Sequence, residues 1–329
     1  MALWAVNMHV DAVFYEAFAE EERALRAHLP PDISARFTWK TIQESGDPVP
    51  PAPVISIRTQ STLPTPWAAH LRAILSRSTG YDHLVDYRNR VTADLQLGYL
   101  PLYCNRAVAE HAMLLWMGLL RRLPRQLRQF GSFQRDGLTG AECRGRTLLV
   151  VGVGHIGHEI VDIGRGLGMR VLGVDPVRRW DDVTYVSFDE AAPVADVVVA
   201  AMNLTPASRG FFNSLRLLQL RAGAVFVNVA RGELAEAEAL LAALQRGALA
   251  GVGLDVYDQE PELAVALRSG SSTPSAAVDA VLALAQRDDV LCTPHNAFNT
   301  CESVERKSAQ SIEQLEHLRR TGRFLWPVP

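Results

Sequence analysis

Three side chains in the second half of the sequence could together bind an organic acid and move a proton. Arg231, Glu260 and His295 each come shortly after a run of apolar, largely β-branched residues. Because the carboxyl ends of parallel strands open onto one crevice, we expect these side chains, and Asp255 beside them, to converge there. Arginine offers a planar fork of donors to a carboxylate and a carbonyl, and Glu260 would keep the histidine in its proton-donating form. The set predicts the reduction of a 2-oxo acid.

A glycine-rich turn precedes these residues in the chain. Gly152, Gly154 and Gly157 follow one apolar run and open a helical pattern. This spacing lets the backbone turn tightly, approach a pyrophosphate and pack the helix on the strand, so that the helix N-terminus faces the phosphates. The turn therefore predicts a dinucleotide site.

An acidic residue fixes which dinucleotide is expected. Asp175 lies about twenty residues beyond the glycines, at the end of the next predicted strand, where it would accept hydrogen bonds from the adenosine ribose. Its charge would repel a 2′-phosphate, so NAD is predicted over NADP. Arg178 and Arg179 follow closely and would soften that preference.

The region around these motifs alternates apolar runs with helical patterns, as a parallel α/β sheet requires. Helices are predicted over Ile156–Gly166 and Glu233–Arg246. Strands that are apolar nearly throughout, as expected when both faces are buried, are predicted at Thr147–Val151, Arg170–Val174, Val197–Ala201, Ala224–Val229, Gly251–Val256 and Val290–Thr293.

The first hundred residues show a second, smaller alternation. A helix is predicted over Ala12–Leu29, a long apolar helix over Ala107–Leu123, a last helix over Ser303–Thr321 and a mobile surface loop over Gly270–Ser275. Strands are predicted at Leu3–Met8, Phe37–Thr41, Val54–Ile57 and Ile74–Arg77. With 329 residues, the chain is long enough for two hydrophobic cores.

Composition narrows the class of protein. The net charge of −3, with both signs interspersed, gives no basic face for nucleic acid. No apolar stretch approaches the ~18 residues of a membrane span, and no metal-ligand spacing is present, so neither a membrane nor a metal is expected. The N-terminus lacks the pattern of a signal peptide. The four cysteines have no C-x-x-C spacing, which favours reduced thiols and a cytoplasmic protein.

Two further segments complete a family resemblance. They are Ser-Arg-Ser-Thr-Gly-Tyr-Asp-His at 76–83 and Tyr-Cys-Asn-Arg-Ala-Val-Ala-Glu-His at 103–111. Together with the glycine turn and the segments around Arg231, Glu260 and His295, they resemble the D-isomer-specific 2-hydroxyacid dehydrogenase family, especially its D-lactate dehydrogenase-like branch. The motifs occur in the family's order over most of the chain.

The resemblance implies an α/β protein of two doubly wound parallel-sheet domains, each with an expected role. A Rossmann NAD domain is expected over 105–296 and a smaller, flavodoxin-like substrate domain over 1–104 and 297–329. The activity implied is reversible hydride transfer between NADH and a small 2-oxo acid, giving a D-2-hydroxy acid. A homodimer is expected.

The resemblance also implies site residues. Arg231 would bind the substrate carboxylate and carbonyl, His295 would be the acid/base and Glu260 its partner. Further substrate contacts are expected from Arg77, Thr79, Gly80, Tyr103 and Phe298. Cofactor contacts are expected from Gly152, Gly154, His155, Ile156, Gly157, Asp175, Met202, Asn203, Ser208, Val229, Ala230, Arg231, Asp255 and His295.

Two alternatives stay open at this point. One keeps the hydride chemistry but changes the donor to a phosphorus-containing substrate, phosphite or a phosphonate-bearing acid, with Arg58 or Arg77 contacting the extra negative charge. The other is a non-enzymatic, NAD-sensing protein resembling the C-terminal binding proteins that act as corepressors.

Overall fold

The computed structural model describes residues 10–269 and 275–329. The predicted strand Leu3–Met8, and all of the predicted loop Gly270–Ser275 except its last residue, lie outside the described residues. The chain divides into two compact units. Unit 1 contains the residues up to Cys104 together with Asn299–Pro329, and unit 2 contains Asn105–Phe298.

Unit 2 is built on one parallel sheet, as its apolar runs predict. Its six strands are β6 (Thr147–Val151), β7 (Arg170–Val174), β8 (Val197–Ala200), β9 (Ala224–Asn228), β10 (Leu249–Leu254) and β11 (Val290–Cys292). They are hydrogen-bonded in the order β11-β10-β9-β8-β6-β7. Most of their side chains are buried, because helices cover both faces of such a sheet.

A single bridge completes the nucleotide-binding topology of unit 2. Gly173 in β7 pairs in parallel with Tyr185, beyond the outermost strand. We number the strands of this unit from β6 as 1 and β7 as 2, and count the bridge segment as 3. The order is then 3-2-1-4-5-6, as in dinucleotide-binding sheets, and β11 follows β10 as a seventh strand at the far edge. The predicted Rossmann domain is therefore confirmed as a fold.

The helices of unit 2 begin close to their predicted positions. The helix after the glycine turn runs over α6 (His155–Gly166), and the predicted helix Glu233–Arg246 is shorter, because a 3₁₀ turn at Gly232–Leu234 precedes it. The other helices are α4 (Asn105–Leu120), α5 (Leu123–Gln129), α7 (Phe188–Ala191), α8 (Ser214–Gln219), α9 (Ala237–Gln245), α10 (Glu260–Ser269) and α11 (Ala276–Ala285).

Unit 1 has its own parallel sheet, in the order β2-β1-β3-β4-β5. This is the strand order of flavodoxin-like folds and confirms the predicted fold of the smaller domain. The strands are β1 (Ala12–Phe14), β2 (Ala35–Phe37), β3 (Val54–Ile57), β4 (Ala73–Ser76) and β5 (Gln96–Gly98). The helices are α1 (Ala19–His28), α2 (Ile42–Ser45), α3 (Asp82–Arg90) and α12 (Cys301–Thr321).

The prediction of one helix over Ala12–Leu29 is wrong in its first part. Ala12–Phe14 is a buried strand between β2 and β3, and the helix begins only at Ala19. Glu16 separates the two elements with a φ of 56°. A three-residue apolar run has no periodicity of its own, so the sequence cannot distinguish it from the first turn of the helix that follows. Strand β5 was not predicted for the same reason.

Unit 1 buries a group of charges between α1, α12 and the sheet. Glu21 Oε1 lies 2.8 Å from Arg77 Nε and 2.8 Å from Lys307 Nζ, and all three side chains are fully buried. Burial alone would raise the pKa of Glu21, but the charges of Arg77 and Lys307 lower it to about 2. Burial lowers the pKa of Lys307 to about 7, although Glu21 opposes this.

These contacts correct the expectation that Arg77 binds substrate. Its guanidinium donates to Glu21, to Ser56 Oγ at 3.0 Å and to the carbonyl of Tyr15 at 2.6 Å, inside the core of unit 1. Because the side chain has no exposed surface, it cannot face a ligand in this structure. It braces strands β1 and β3 beneath the loop that follows β4.

Candidate active site

The glycine turn has a shape that only glycine permits. A Cβ on Gly157 would lie 2.0 Å from the carbonyl oxygen of Gly152, and one on Gly152, whose φ is +95°, would lie 2.4 Å from the backbone of Met202. Space remains around Gly154, where an added Cβ would meet nothing within 4 Å. The turn therefore packs tightly against the end of β8 on one side and stays open on the other.

The open side presents backbone donors. Within the described part of the chain, the N–H groups of Gly154, His155 and Ile156 have no hydrogen-bond partner. They lie at the positive end of α6, where an anion is favoured. A pyrophosphate fits this cradle, so the residues present suit NAD.

Asp175 lies at the end of β7, as predicted, and it also braces the turn. Its Oδ2 accepts from the N–H of Val153 at 2.7 Å, and its Oδ1 accepts from the N–H of Val177 at 2.8 Å. A carboxylate oxygen accepts more than one hydrogen bond, so both oxygens keep capacity for ribose hydroxyls.

The segment after β8 also borders the glycine turn. The backbone of Met202 packs so closely on Gly152 that it leaves no room for a side chain at that glycine. Ser208 Oγ donates to the carbonyl of Asn203 at 2.7 Å and closes a compact exposed turn. Contacts of Met202, Asn203 and Ser208 with the cofactor stay a prediction.

The loops after β9, β10 and β11 meet at one edge of the sheet, because these strands are neighbours. A Cβ on Gly232 would lie 1.8 Å from the carbonyl carbon of Tyr257, so the loop that carries Arg231 touches the loop that carries Glu260. Asn228 shapes the first loop by donating to the carbonyl of Arg231 at 2.8 Å and accepting from the N–H of Ala230 at 3.1 Å. Val229 lies buried within it.

His295 and Glu260 form a pair at this edge. Nδ1 of His295 lies 2.8 and 2.9 Å from the two carboxylate oxygens of Glu260, and each side chain is 19% exposed. His295 has a φ of 51°, and Gln259, which precedes Glu260, has a φ of 54°. Such backbone angles are costly outside glycine and occur most often at functional sites.

The structure gives Asp255 partners other than the cofactor contact that was predicted. Its Oδ1 accepts from Thr293 Oγ1 at 2.6 Å and from the N–H of Asn296 at 2.8 Å, and its Oδ2 accepts from the N–H of Ala297 at 2.9 Å. Asp255 thereby holds the loop that carries His295, and only 1% of the residue is exposed. Its contact with the cofactor stays a prediction.

Two positioning residues were missed by sequence reasoning. The hydroxyl of Tyr257 donates to the carbonyls of Leu254 and Thr293, at 3.1 and 2.8 Å, and so ties the β10 loop to the β11 loop. Burial, followed by the neighbouring Cys292, raises the pKa of Tyr257, which keeps the phenol a donor. His111 on α4 lies 2.9 Å from Thr293 Oγ1 through Nε2. Both residues lie in or next to segments that carry the family resemblance, but spacing alone does not reveal their contacts with the β11 loop.

In unit 1, the loop after β4 presents backbone donors of its own. The N–H groups of Thr79 and Gly80 have no hydrogen-bond partner among residues 10–269 and 275–329. Ser78 fixes the loop, because its hydroxyl lies 2.6 Å from Ser76 Oγ and 2.6 Å from the carbonyl of Gly80. His83 Nε2 in turn lies 3.0 Å from Ser76 Oγ.

Tyr103 and Phe298 are both largely buried. Tyr103 lies near the end of the first segment of unit 1, and its carbonyl accepts a hydrogen bond from Arg306 Nε at 2.9 Å. Burial raises the pKa of its phenol. Phe298 is the last residue of unit 2. Their contact with substrate stays a prediction.

One cluster in the described ranges has the composition of a metal site. It consists of His158, Asp162 and Asp182 on the surface of unit 2. Asp182 already forms an ion pair with Arg165 at 2.6 Å. The cluster is an exposed ion-pair network on the outside of α6.

A dinucleotide cradle on a Rossmann sheet, with a histidine–carboxylate pair at the same carboxyl edge, defines an NAD-dependent oxidoreductase. The family model "D-isomer specific 2-hydroxyacid dehydrogenase, NAD binding domain" matches residues 112–297. The chain belongs to this D-isomer specific 2-hydroxyacid dehydrogenase family. It is an NAD-dependent enzyme that acts on the CH–OH group of its donor.

Individual relatives agree with the family model. The chain is 31% identical to the D-lactate dehydrogenase of Escherichia coli (strain K12), over 76% of this chain and 77% of that one. It is 33% identical to 2-hydroxyacid dehydrogenase A of Aspergillus oryzae, over 79% and 76%. The D-lactate dehydrogenase of Aquifex aeolicus, solved with NAD and lactic acid, superposes with a TM-score of 0.83 at 27% identity, covering 96% of this chain and 99% of that one.

Proposed function

We propose that the enzyme catalyses the reversible, NADH-dependent reduction of a small 2-oxo acid to the D-2-hydroxy acid. The observation that carries this proposal is that Nδ1 of His295 lies within hydrogen-bond distance of both carboxylate oxygens of Glu260, beside the loop of Arg231. A histidine held in this way has one ring nitrogen left for proton exchange. An arginine on the adjoining loop supplies the cation that an acid substrate needs.

The proposed roles follow from the geometry. The guanidinium of Arg231 binds the carboxylate and polarises the carbonyl of the 2-oxo acid. Nε2 of His295 donates a proton to the carbonyl oxygen, because Nδ1 is bound to Glu260. When bound, NADH supplies the hydride for the carbonyl carbon. In the reverse direction, Nε2 removes the hydroxyl proton, and Glu260 stabilises the imidazolium that forms.

Each unit, taken by itself, carries groups that suit one part of the proposed reaction. We propose that unit 2 binds NAD through the glycine turn, Asp175 and the segments after β8 and β9. Unit 1 contributes the unpartnered N–H groups of Thr79 and Gly80, which suit a carboxylate. It also contributes the ring of Tyr103, whose neighbour Cys104 lies 3.4 Å from Thr79 Oγ1 through its sulfur. We therefore propose unit 1 as the substrate domain and unit 2 as the NAD domain.

A substrate panel tests this function. Purified protein is assayed for NADH oxidation with pyruvate, hydroxypyruvate, phenylpyruvate and 2-oxoglutarate, and the product is analysed on a chiral column. We expect turnover with at least one of these acids and a D product. No turnover with any of them, in protein that binds NADH by calorimetry, would refute the proposal.

A second candidate substrate carries an additional acidic group, such as a phosphonate-bearing acid. The observation that favours it is Arg58, which is partly exposed and follows β3 at the same edge of the sheet as the loop of Thr79, because Ile57 pairs with Ser76. Competition by a phosphonate analogue of the best substrate tests this candidate. If the analogue competes no better than a neutral one of equal size, the additional acidic group is excluded.

We also propose that the enzyme is a homodimer in the cytoplasm. Leu127, Phe130 and Phe133 are 68%, 76% and 71% exposed within one short segment of unit 2. Clustered apolar exposure of this kind is typical of an interface, and a second copy is the expected partner. All four cysteines are free thiols. Within the described ranges, no helix has both the length and the apolar character needed to cross a membrane.

Light scattering after size-exclusion chromatography tests the dimer. Phe130→Asp with Phe133→Asp is expected to give a monomer, whereas Trp39→Asp, at a residue of similar exposure in unit 1, is expected to leave the dimer intact. A wild-type protein that elutes with the mass of one chain would overturn this proposal.

A further inference from the structure

The segment that follows β7 folds back onto the first turn of α6. The indole N–H of Trp180 donates to the carbonyl of Val153, within the glycine turn, at 3.0 Å. The Trp180 ring stacks on the ring of His158, with centroids 4.1 Å apart and planes at 26°, and it meets the ring of His155 edge-on at 5.8 Å. One aromatic side chain therefore attaches this segment to the cofactor cradle.

A second attachment lies two residues further on. Asp182 accepts from Arg165 Nη1 at 2.6 Å, and its Oδ1 lies 3.2 Å from His158 Nε2. The carbonyl of Asp182 also accepts from Arg165 Nη2. Because the segment is held at Trp180 and at Asp182, the backbone next to it has a fixed position, and ordering it on ligand binding costs little conformational entropy.

Arg179 precedes Trp180 and carries its guanidinium to the N-terminus of α6. Its Nη1 lies 3.4 Å from Nε2 of His155, the first residue of the helix. Burial, and next the charge of Arg179, lower the pKa of His155. A cation at the positive end of a helix is unfavourable by itself. An anion between the guanidinium and the helix would remove that penalty.

We propose that Arg179 is a further cofactor-binding residue, which contacts the pyrophosphate of NAD and is held in place by Trp180. The pyrophosphate is the phosphate that the unpartnered N–H groups of this helix end already suit. A 2′-phosphate is the other phosphate that a dinucleotide can offer, but it would have to approach the carboxylate of Asp175 at the ribose end. The charge of Arg179 therefore contributes to dinucleotide affinity in general.

Calorimetric titration of the full-length protein with NADH tests this role, with Arg178→Ala as the matched control. Arg178 is the exposed neighbour of Arg179, and no hydrogen bond or ion pair of its side chain is described in the structure. We expect Arg179→Ala to raise the Kd for NADH about tenfold, which corresponds to about 1.4 kcal/mol. Arg179→Lys should recover part of the loss, and Arg178→Ala should change Kd less than about twofold.

Three ligands separate the two phosphate sources. In Arg179→Ala, the affinities for ADP and NADPH should fall by the same factor as the affinity for NADH. The affinity for adenosine, which has no phosphate, should not change. A loss confined to NADPH would place the contact at the 2′-phosphate and overturn the assignment. Equal Kd values for Arg179→Ala and Arg178→Ala would overturn the proposal altogether.

The positioning role of Trp180 is tested by a double-mutant cycle. If Trp180 acts by holding Arg179, Trp180→Ala should weaken NADH binding in the wild type and have little further effect in Arg179→Ala. Additive losses would show that Trp180 acts independently and overturn this part. Trp180→Phe, which keeps the stack on His158 but loses the indole N–H, serves if Trp180→Ala does not fold.

Discussion

Both carboxylate oxygens of Glu260 lie within hydrogen-bond distance of Nδ1 of His295, at 2.8 and 2.9 Å. The pairing fixes the tautomer and the plane of the imidazole, and it leaves Nε2 for the proposed proton exchange. The left-handed backbone of His295, at a φ of 51°, is held by the hydrogen bonds that Asp255 accepts from the two residues that follow. The proposed acid/base pair is thus positioned by the buried carboxylate of Asp255.

Removing the imidazole should separate catalysis from cofactor binding. In His295→Ala, we expect kcat to fall on the order of 10²–10⁴-fold, the usual contribution of a general acid. The Kd for NADH should stay nearly constant, because the phosphate cradle lies in the glycine turn. Steady-state kinetics and calorimetry measure the two quantities. Retained activity would show that another group donates the proton.

Neutralising Glu260 should weaken the proposed proton transfer by His295. Glu260→Gln keeps a hydrogen-bond acceptor for Nδ1 but loses the carboxylate charge, so kcat for reduction should fall on the order of tenfold or more. Steady-state kinetics measure kcat, and the Kd for NADH, measured by calorimetry, should stay nearly constant. An unchanged kcat would contradict the proposed role of Glu260.

Asp175 should contribute both to affinity and to stability. Asp175→Ala removes the acceptor for the N–H groups of Val153 and Val177, so we expect weaker NAD binding, weaker discrimination against NADP and a loss of about 1–2 kcal/mol in the free energy of unfolding. Asp181→Ala, an exposed aspartate on the following segment, is the control. Unchanged discrimination in Asp175→Ala would place the ribose contact elsewhere.

The glycine turn should tolerate no side chain at its third position. In Gly157→Ala, the new Cβ would lie 2.0 Å from the carbonyl oxygen of Gly152, so the free energy of unfolding should fall by roughly 1–3 kcal/mol and NADH binding should be lost. Gly166→Ala, at the other end of α6, meets nothing within 4 Å and should be neutral or stabilising by up to about 1 kcal/mol. Urea denaturation gives both values, and similar effects in the two variants would contradict the steric argument.

The buried charges of unit 1 should set its acid stability. The pKa of Glu21 is lowered from 4.5 to about 2. Its ionised form therefore stabilises the fold fully above pH 4.5, and this contribution to the free energy of unfolding is lost as the pH falls towards 2. Glu21→Gln leaves Arg77 and Lys307 without their buried anion and should cost roughly 3–5 kcal/mol at neutral pH. The exposed Glu20→Gln should cost almost nothing. Denaturation curves between pH 2 and 7 test this prediction. If the free energy of unfolding of Glu21→Gln fell with pH as steeply as that of the wild type, the prediction would be contradicted.

The sequence by itself determined the Rossmann sheet, the glycine turn and the positions of Arg231, Glu260 and His295. Strands such as Thr147–Val151 and Val54–Ile57 were predicted to the residue, because their apolar runs lie between clear turns. Local spacing is sufficient for these features, since the residues that define each of them are neighbours in the chain. The family resemblance added the identity of the smaller domain.

Only the tertiary structure decided which polar residues support the site and which face it. Arg77 and Glu21 are 56 positions apart, and Thr293 and Asp255 are 38 apart, yet each pair is in direct contact. Arg77 stands beside motif residues and was therefore predicted to touch the substrate, but its full burial assigns it to the framework of unit 1. Asp255 also holds a loop, through contacts that its motif does not reveal. No periodicity encodes such pairs, because the contact depends on how separate strands and helices pack.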